Sequence, residues 1–337
     1  MFVKQYIKPI LLILVPVLLI GWAQDVYELK IPKGFPKPQI PEQNELSNSR
    51  IELGRRLFFD KIMSRDTTIS CASCHKPELA FTDGLKVGVG IRGQKVARNS
   101  PTLTNVVYSP YFLMDGGVPT LEQQIIVPVQ EHKEFDFHFS LIAQRMQKDS
   151  IYVQLSKQAY NRPPDAFVIT RAISAFERTL ISGNSPYDKF TYQNQINALT
   201  ASEKKGKDLF FSERLKCSEC HSGFNFTDYS FQNNGLYVNY PDSGRMRLTN
   251  KEEDRALFKV PTLRNINLTG PYMHDGSFNT LEEIINHYEK GGNNNPQKSE
   301  KIGGFKLTNN ERLNLIHFLE SLTDSSFINR PDFIGQY

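Results

Sequence analysis

Cys71-Ala72-Ser73-Cys74-His75 and Cys217-Ser218-Glu219-Cys220-His221 are two copies of C-x-x-C-H, and together they use all four cysteines of the 337-residue chain. The pattern reads as covalent haem attachment: each thiol adds across a haem vinyl group, and the following His supplies the proximal iron ligand. Two other chemistries use paired cysteines, a C-x-x-C redox couple and a single zinc site drawing on all four thiols. The zinc site needs two distant motifs to meet, and neither alternative accounts for a His after both pairs. The cysteines therefore point to two c-type haems.

Outward from the motifs the chain repeats itself. Gly54-Arg55-Arg56-Leu57-Phe58-Phe59 precedes the first motif and Gly206-Lys207-Asp208-Leu209-Phe210-Phe211 the second. Phe81-Thr82-Asp83 and Phe226-Thr227-Asp228 follow them. Pro101-Thr102-Leu103, Asn105, Asp115-Gly116 and Thr120-Leu121-Glu122 then recur at one constant offset as Pro261-Thr262-Leu263, Asn265, Asp275-Gly276 and Thr280-Leu281-Glu282. An internal duplication with one haem per half is the expected organisation.

The first residues differ from the rest. Lys4 and Lys8 lead into an uncharged apolar run from Pro9 to Ile20, followed by Gly21-Trp22-Ala23. The run is shorter than the ~20 residues that cross a bilayer, and a basic head, apolar middle and small-residue end make a secretory signal. Residues 1–23 are thus expected to be a signal peptide cleaved after Ala23, with a retained membrane anchor as the alternative, and the compartment is expected to be the periplasm. Beyond it, 39% hydrophobic and 23% charged residues describe a globular chain long enough for two cores. A formal charge of +4, with Lys and Arg scattered among Asp and Glu, excludes nucleic acid as an expected partner.

Local signals are helical. Thr200-x-x-Glu203, Thr280-x-x-Glu283 and Thr308-x-x-Glu311 match the capping box, and Thr120-x-x-Gln123 is its amide version. Helical spacing joins Val168, Ala172, Ala175, Phe176 and Thr179, and again Leu313, Ile316 and Leu319; these stripes read as core. Few stretches alternate like strands. The polar segment from Gly183 to Asn197 reads as a linker, and the expected domains are 24–190 and 191–337. The fold class is mainly α, with two cytochrome c-like haem domains.

Both motifs, together with Arg98-Asn99-Ser100-Pro101-Thr102, Asp115-Gly116, Leu121-Glu122-x-Gln124, Phe258-Lys259-Val260-Pro261-Thr262-Leu263-Arg264-Asn265 and His274-Asp275-Gly276, resemble the bacterial di-haem cytochrome c peroxidases. That family includes a MauG-like branch that oxidises other proteins. The resemblance covers roughly residues 46–322.

The resemblance implies site residues. A Gln and a Glu on the distal side of the amino-terminal haem correspond to Gln124 and Glu134, with Glu134 as the acid/base; Glu131, His132 and Asp136 are its competitors for that role. Many family members close this haem at rest with a His in the loop after the first motif. Here the loop is Gly88-Val89-Gly90-Ile91-Arg92-Gly93, and no His occurs between His75 and His132, so the His75 haem is expected to keep an open face. The distal ligand of the other haem is a Met in ordinary members, and the corresponding position is Tyr288, as in the MauG-like branch, with His287 as the competing ligand. A phenolate stabilises ferric iron and lowers the potential. The Trp usual before the first Asp-Gly is replaced by Met114, leaving Tyr111, Phe112 or direct tunnelling between haems. A calcium ion between the domains is implied at Asn99, Thr269 and Pro271. His274 is expected near the second haem, where it could hydrogen-bond a propionate or the interdomain region, and His132, His138 and His317 are expected as ordinary surface or packing residues.

The function expected from these residues is a peroxidase (EC 1.11.1 class) that reduces H2O2 with electrons from a small cytochrome c or cupredoxin. A MauG-like enzyme that oxidises residues of a partner protein is the second reading, and a non-catalytic electron carrier the third. A homodimer is compatible with the resemblance.

Overall fold

The computed structural model describes residues 25–335. The signal segment expected at 1–23 lies outside them. Among the described residues no helix is long and apolar enough to cross a membrane.

The chain is mainly helical, as expected. In order come α1 (Asn48–Phe59), α2 (Cys71–Cys74), α3 (Leu121–Gln124), α4 (Ile126–Gln130), α5 (Phe139–Gln147), α6 (Ser150–Tyr160), α7 (Ala166–Glu177), α8 (Pro186–Tyr192), α9 (Ala201–Phe210), α10 (Met246–Thr249), α11 (Leu281–Glu289), α12 (Asn309–Glu320) and α13 (Ser325–Ile328). The sheet is one antiparallel pair, β1 (Phe231–Gln232) and β2 (Phe258–Lys259). Full capping boxes form at Thr200, Thr280 and Thr308. At Thr120 the hydroxyl accepts from the Gln123 N–H but donates to that residue's own side-chain oxygen, so only half of the box closes.

Each half is organised by one pair of crossed helices. α1 buries Leu53, Leu57 and Phe58 against Val168, Ile169, Ala172, Ile173 and Phe176 of α7. The backbones touch: a Cβ on Gly54 would lie 1.8 Å from the Ala172 carbonyl oxygen. α9 crosses α12 in the same way, with a Cβ on Gly206 falling 1.9 Å from the Asn314 oxygen. The repeated glycines are therefore the contact points of the two crossings. Asn105 and Asn265, both left-handed at φ 59°, mark the next equivalence. Their N–H groups donate to Leu180 and Leu322 oxygens, and their side-chain oxygens accept from the N–H groups of Ser182 and Asp324.

The halves are stitched by polar and aromatic contacts. Asp324 accepts from Ser182, Gly183 and Asn184, and Asn105 donates to Asn225. Phe327 and Phe333, near the end of the described chain, pack into the first core beside Phe81. The polar segment 183–197 departs from the bare linker expected of it. It carries α8, whose Asp188 is fully buried and holds Arg264, itself 0% exposed, through two 2.9 Å bonds. Polarity there reflects a buried ion pair with a partner far along the chain.

Candidate active site

The first motif starts a short helix. Ser70 and Ser73 cap α2 reciprocally, and His75 follows with its N–H on the Cys71 oxygen. The His75 ring is then fixed from the far side: Nδ1 lies 2.9 Å from the carbonyl oxygen of Phe81. A carbonyl only accepts, so Nδ1 carries the hydrogen and Nε2 keeps its lone pair. In the second motif His221 makes the same bond to Phe226 at 3.0 Å. Phe81 and Phe226 both adopt left-handed backbone, at φ 62° and 51°, which turns their carbonyls toward the rings. Thr102 and Thr262 brace this turn by donating to the oxygens of Ala80 and Asn225. The repeated Phe-Thr-Asp and Pro-Thr-Leu blocks are thus the supports of the two histidines.

The four thiols are free and half-buried. Burial pushes every one of them up, Cys74 to about 11 and Cys217 to about 12. A redox-active pair needs a lowered thiol, and among the described residues no cluster of His, Cys, Asp or Glu could hold a metal ion. Both alternatives to haem attachment lose support. Two neutral thiols followed by an imidazole with a free Nε2, twice over, fit a covalently held haem.

The two distal candidates lie on α3 and on the turn after α4, and of the two Glu134 is the one whose charge acts on the first motif. Thr120 caps α3, which ends on half-buried Gln124. Glu122 in the same turn faces away and anchors the helix: Arg178 donates to both its oxygens at 2.8 and 3.0 Å, and Asn44 and Ser174 add bonds. Burial works to raise that carboxyl, but the Arg178 bonds and charge outweigh it and hold it near 2. After α4 the chain turns tightly through Glu134, whose N–H donates to the Glu131 oxygen. Burial, and then the Glu131 charge, raise the Glu134 carboxyl to about 7. Its field reaches both Cys71 and Cys74. Of its competitors, Glu131 is exposed, and His132, with its side chain 88% exposed, pairs with Asp136 at 2.7 Å.

The loop 88–93 lies between Cys74 and Glu134. Cys74 Sγ is 3.9 Å from the Val89 oxygen, and the Ile91 N–H donates to the Glu134 oxygen at 2.9 Å. Ile91 itself is fully buried. An aliphatic side chain therefore fills this loop position, and it has no atom that binds iron.

At the second motif Tyr288, on α11, lies close enough to Asn234, Cys220 and Cys217 for each to act on its hydroxyl. Burial dominates and raises its hydroxyl. The neighbouring His287 is held by the backbone of the same Asn234, its Nε2 2.9 Å from that residue's carbonyl oxygen.

Between the motifs Met114 occupies backbone pairing with β2, accepting from the Lys259 N–H at 2.7 Å. Tyr111 packs on Phe231 at 5.8 Å and is 44% exposed. Asp115 is fully buried between Arg98 and Arg247, and Arg98 also bridges to Asp242 in the other half. His274 stacks on Phe258 at 4.2 Å. Its carbonyl oxygen accepts from the N–H of Asn99, which brings Asn99 beside the loop that follows Thr269 and Pro271. The Asn99 amide donates to Leu85, which leaves its side-chain oxygen for another partner. His138 is exposed and His317 meets Ser202, so both are ordinary surface or packing residues.

One acid escaped the sequence reading. Glu177, the last residue of α7, is 4% exposed, and its charge is the strongest acting on Cys71. Next to Arg178 it passes for one side of a helix-end charge pair. The signal available was its counterpart in the other half, Leu319.

The di-haem cytochrome c peroxidase family model matches residues 48–196. The methylamine utilization protein MauG of Methylorubrum extorquens is 35% identical over 306 residues, covering 89% of this chain and 85% of its own. The cytochrome c551 peroxidase of Nitrosomonas europaea is 32% identical over 306 residues, covering 88% of this chain and 84% of its own. The crystal structure of a MauG-like protein associated with microbial copper homeostasis superposes with a TM-score of 0.87 at 34% identity, over 92% of this chain and 99% of that one. The chain belongs to the di-haem cytochrome c peroxidase family, of MauG-like type, and is a peroxidase-type oxidoreductase with two c-type haems.

Proposed function

We propose that this protein is a periplasmic di-haem peroxidase that reduces H2O2 to water with electrons from a small cytochrome c or cupredoxin. Cys71, Cys74 and His75 would hold one haem in a domain spanning 24–190, and Cys217, Cys220, His221 and Tyr288 the other in a domain spanning 191–337, the two being products of a duplication. Residues 1–23 would be the export signal. A haem with an open face supplies the iron at which peroxide binds and the electrons that break its O–O bond.

The residues of the chain do the rest. Glu134, with a carboxyl near 7, is poised to take a proton from the near peroxide oxygen and return it to the far one. Gln124, held by the Glu122–Arg178 anchor, donates to the oxygen on which charge develops. His75 is kept in one tautomer by Phe81. The observation that carries this reading is the seating of Ile91, a residue without a ligand atom, against Glu134. Asn99, Thr269 and Pro271 would bind one calcium ion across the boundary; chelation should then lower the thermal unfolding midpoint, and no change would remove calcium from the account.

Tyr288 supports a second reading, in which the oxidising power is directed at residues of a partner protein. Met114 in place of a bridging Trp weighs against it. Turnover of H2O2 with reduced cytochrome c, set beside H2O2-dependent modification of a protein encoded nearby, separates the two. Cytochrome oxidation at a steady rate supports the first reading; modification of the partner without cytochrome turnover supports the second. A homodimer would fit either.

A further inference from the structure

Glu177 is buried, yet its Oε2 has no hydrogen-bond partner. Such a carboxyl is costly to a fold and calls for a reason. The other half shows that the fold itself does not supply one. Gly54 meets the Ala172 oxygen and the Phe176 side chain, and Gly206 meets the Asn314 oxygen and the Phe318 side chain. Thr179 and Ser321 hydroxyls then donate to the oxygens of Phe176 and Phe318. Between those markers Glu177 corresponds to Leu319, an apolar residue packed in the second core at 7% exposure. A leucine fills the corresponding place in the second core, and the half with the candidate peroxide site has an acid there.

The charged surroundings of Glu177 are few. Arg178, next on its own helix, is committed to Glu122 of α3 through two bonds, and these two are the charges that reach Glu177. Arg171, also on α7, lies over the Phe167 ring. From α2 the neighbour is Cys71, which also feels Glu134. The charged side chains of the other packed helices are engaged elsewhere. On α1 Glu52 pairs with Arg55, Arg50 holds the Glu45 and Ala159 oxygens, and Arg56 lies over the Tyr152 ring. On α5 Arg145 holds the oxygens of Ile62, Ser64 and Arg65. Glu177 thus lacks a dedicated counter-charge, in a low-dielectric interior where a nearby change of charge acts strongly. Burial, only partly offset by Arg178, raises it to about 8, so Glu177 is a carboxylate able to take up a proton only above about that pH.

We propose that Glu177 is the redox-linked proton-holding group of the first haem site, binding a proton when the site gains an electron and releasing it when the electron leaves. This rests on the reading that Cys71, Cys74 and His75 hold a haem. In the step, one electron from an external one-electron donor reduces ferric iron to ferrous, and one proton from solvent forms an O–H bond on the Glu177 carboxylate. The charge of the site stays constant. Oxidation reverses the step: the electron leaves to an external acceptor, the O–H bond of Glu177 breaks and the proton returns to solvent.

The test is infrared difference spectroscopy of the holoprotein on electrochemical reduction, at a pH above about 8 where Glu177 starts as the carboxylate, in H2O and in D2O. Reduction of the wild type should add the C=O band of a protonated carboxylic acid, shifted in D2O. The band should vanish in Glu177→Gln and persist in Glu134→Gln, and the potential of the first haem should lose its one-proton-per-electron fall with pH in Glu177→Gln alone. If that variant does not fold, Glu177→Leu, which copies Leu319, takes its place. A band unchanged in the Glu177 variants, or lost only in Glu134→Gln, overturns the proposal. Purified protein with haem on the second motif alone would instead overturn the reading beneath it.

Discussion

The main-chain N–H of Ile91 donates to the carbonyl oxygen of Glu134 at 2.9 Å, so the loop after the first motif and the candidate acid form one unit. Gly90 makes the unit possible, since a Cβ there would lie 1.9 Å from the Lys133 oxygen. A loop fastened in this way, with a buried isoleucine at its centre, presents no ligand to an iron and no obvious freedom to swing one in.

Gly90→Ala should therefore do two things. Overpacking should lower stability by about 1–3 kcal/mol, read by denaturant unfolding. Displacement of the Glu134 turn should slow the reaction with H2O2, read by stopped-flow absorbance. Reduced stability with an unchanged peroxide rate would separate the loop from the chemistry.

Glu134→Gln should slow peroxide consumption by about a hundred- to ten-thousand-fold, the usual worth of a positioned acid/base. The pH profile carries the sign. The carboxyl is raised to about 7 by burial and by Glu131, so it is protonated below that pH and free to accept the first peroxide proton above it. The rate should rise through about pH 7 in the wild type and lose that limb in the variant. Glu131→Gln removes a like charge and should move the limb to lower pH.

Tyr288→Met exchanges a hard anionic donor for a thioether. The potential of the second haem should rise by on the order of 0.1 V or more, within the roughly 0.8 V range that axial ligands span. Spectroelectrochemical titration measures it, and an unmoved potential would show that Tyr288 is not a ligand.

Asp188→Asn leaves the fully buried Arg264 guanidinium without its carboxylate and should cost about 3–5 kcal/mol. Asp208→Asn is the control. That carboxylate is 73% exposed in its pair with Lys207, and its loss should change stability by less than about 1 kcal/mol.

These cases also show what the sequence could and could not disclose. The motifs and the capping boxes were legible because each is a local pattern whose geometry is set within a few residues, whereas the Gly54 and Gly206 blocks were legible as a repeat while their contacts with Ala172 and Asn314 were not. The role of 183–197 was not, because Asp188 owes its burial to Arg264, 76 positions away. The same holds for Glu177, whose neighbours Glu122 and Cys71 come from other helices. Glu134 was found through the family's motif order, but the burial that raises it depends on how loop 88–93 covers the turn.

The central claim is that the His75 site is open to peroxide in the resting state, with Glu134 facing it. Its most direct test is rapid mixing of the fully ferric holoprotein with H2O2, without any prior reduction, followed by absorbance. An immediate spectral change that is lost in Glu134→Gln is the expected result. No reaction until an electron has first been supplied, or a reaction indifferent to Glu134, would contradict the account.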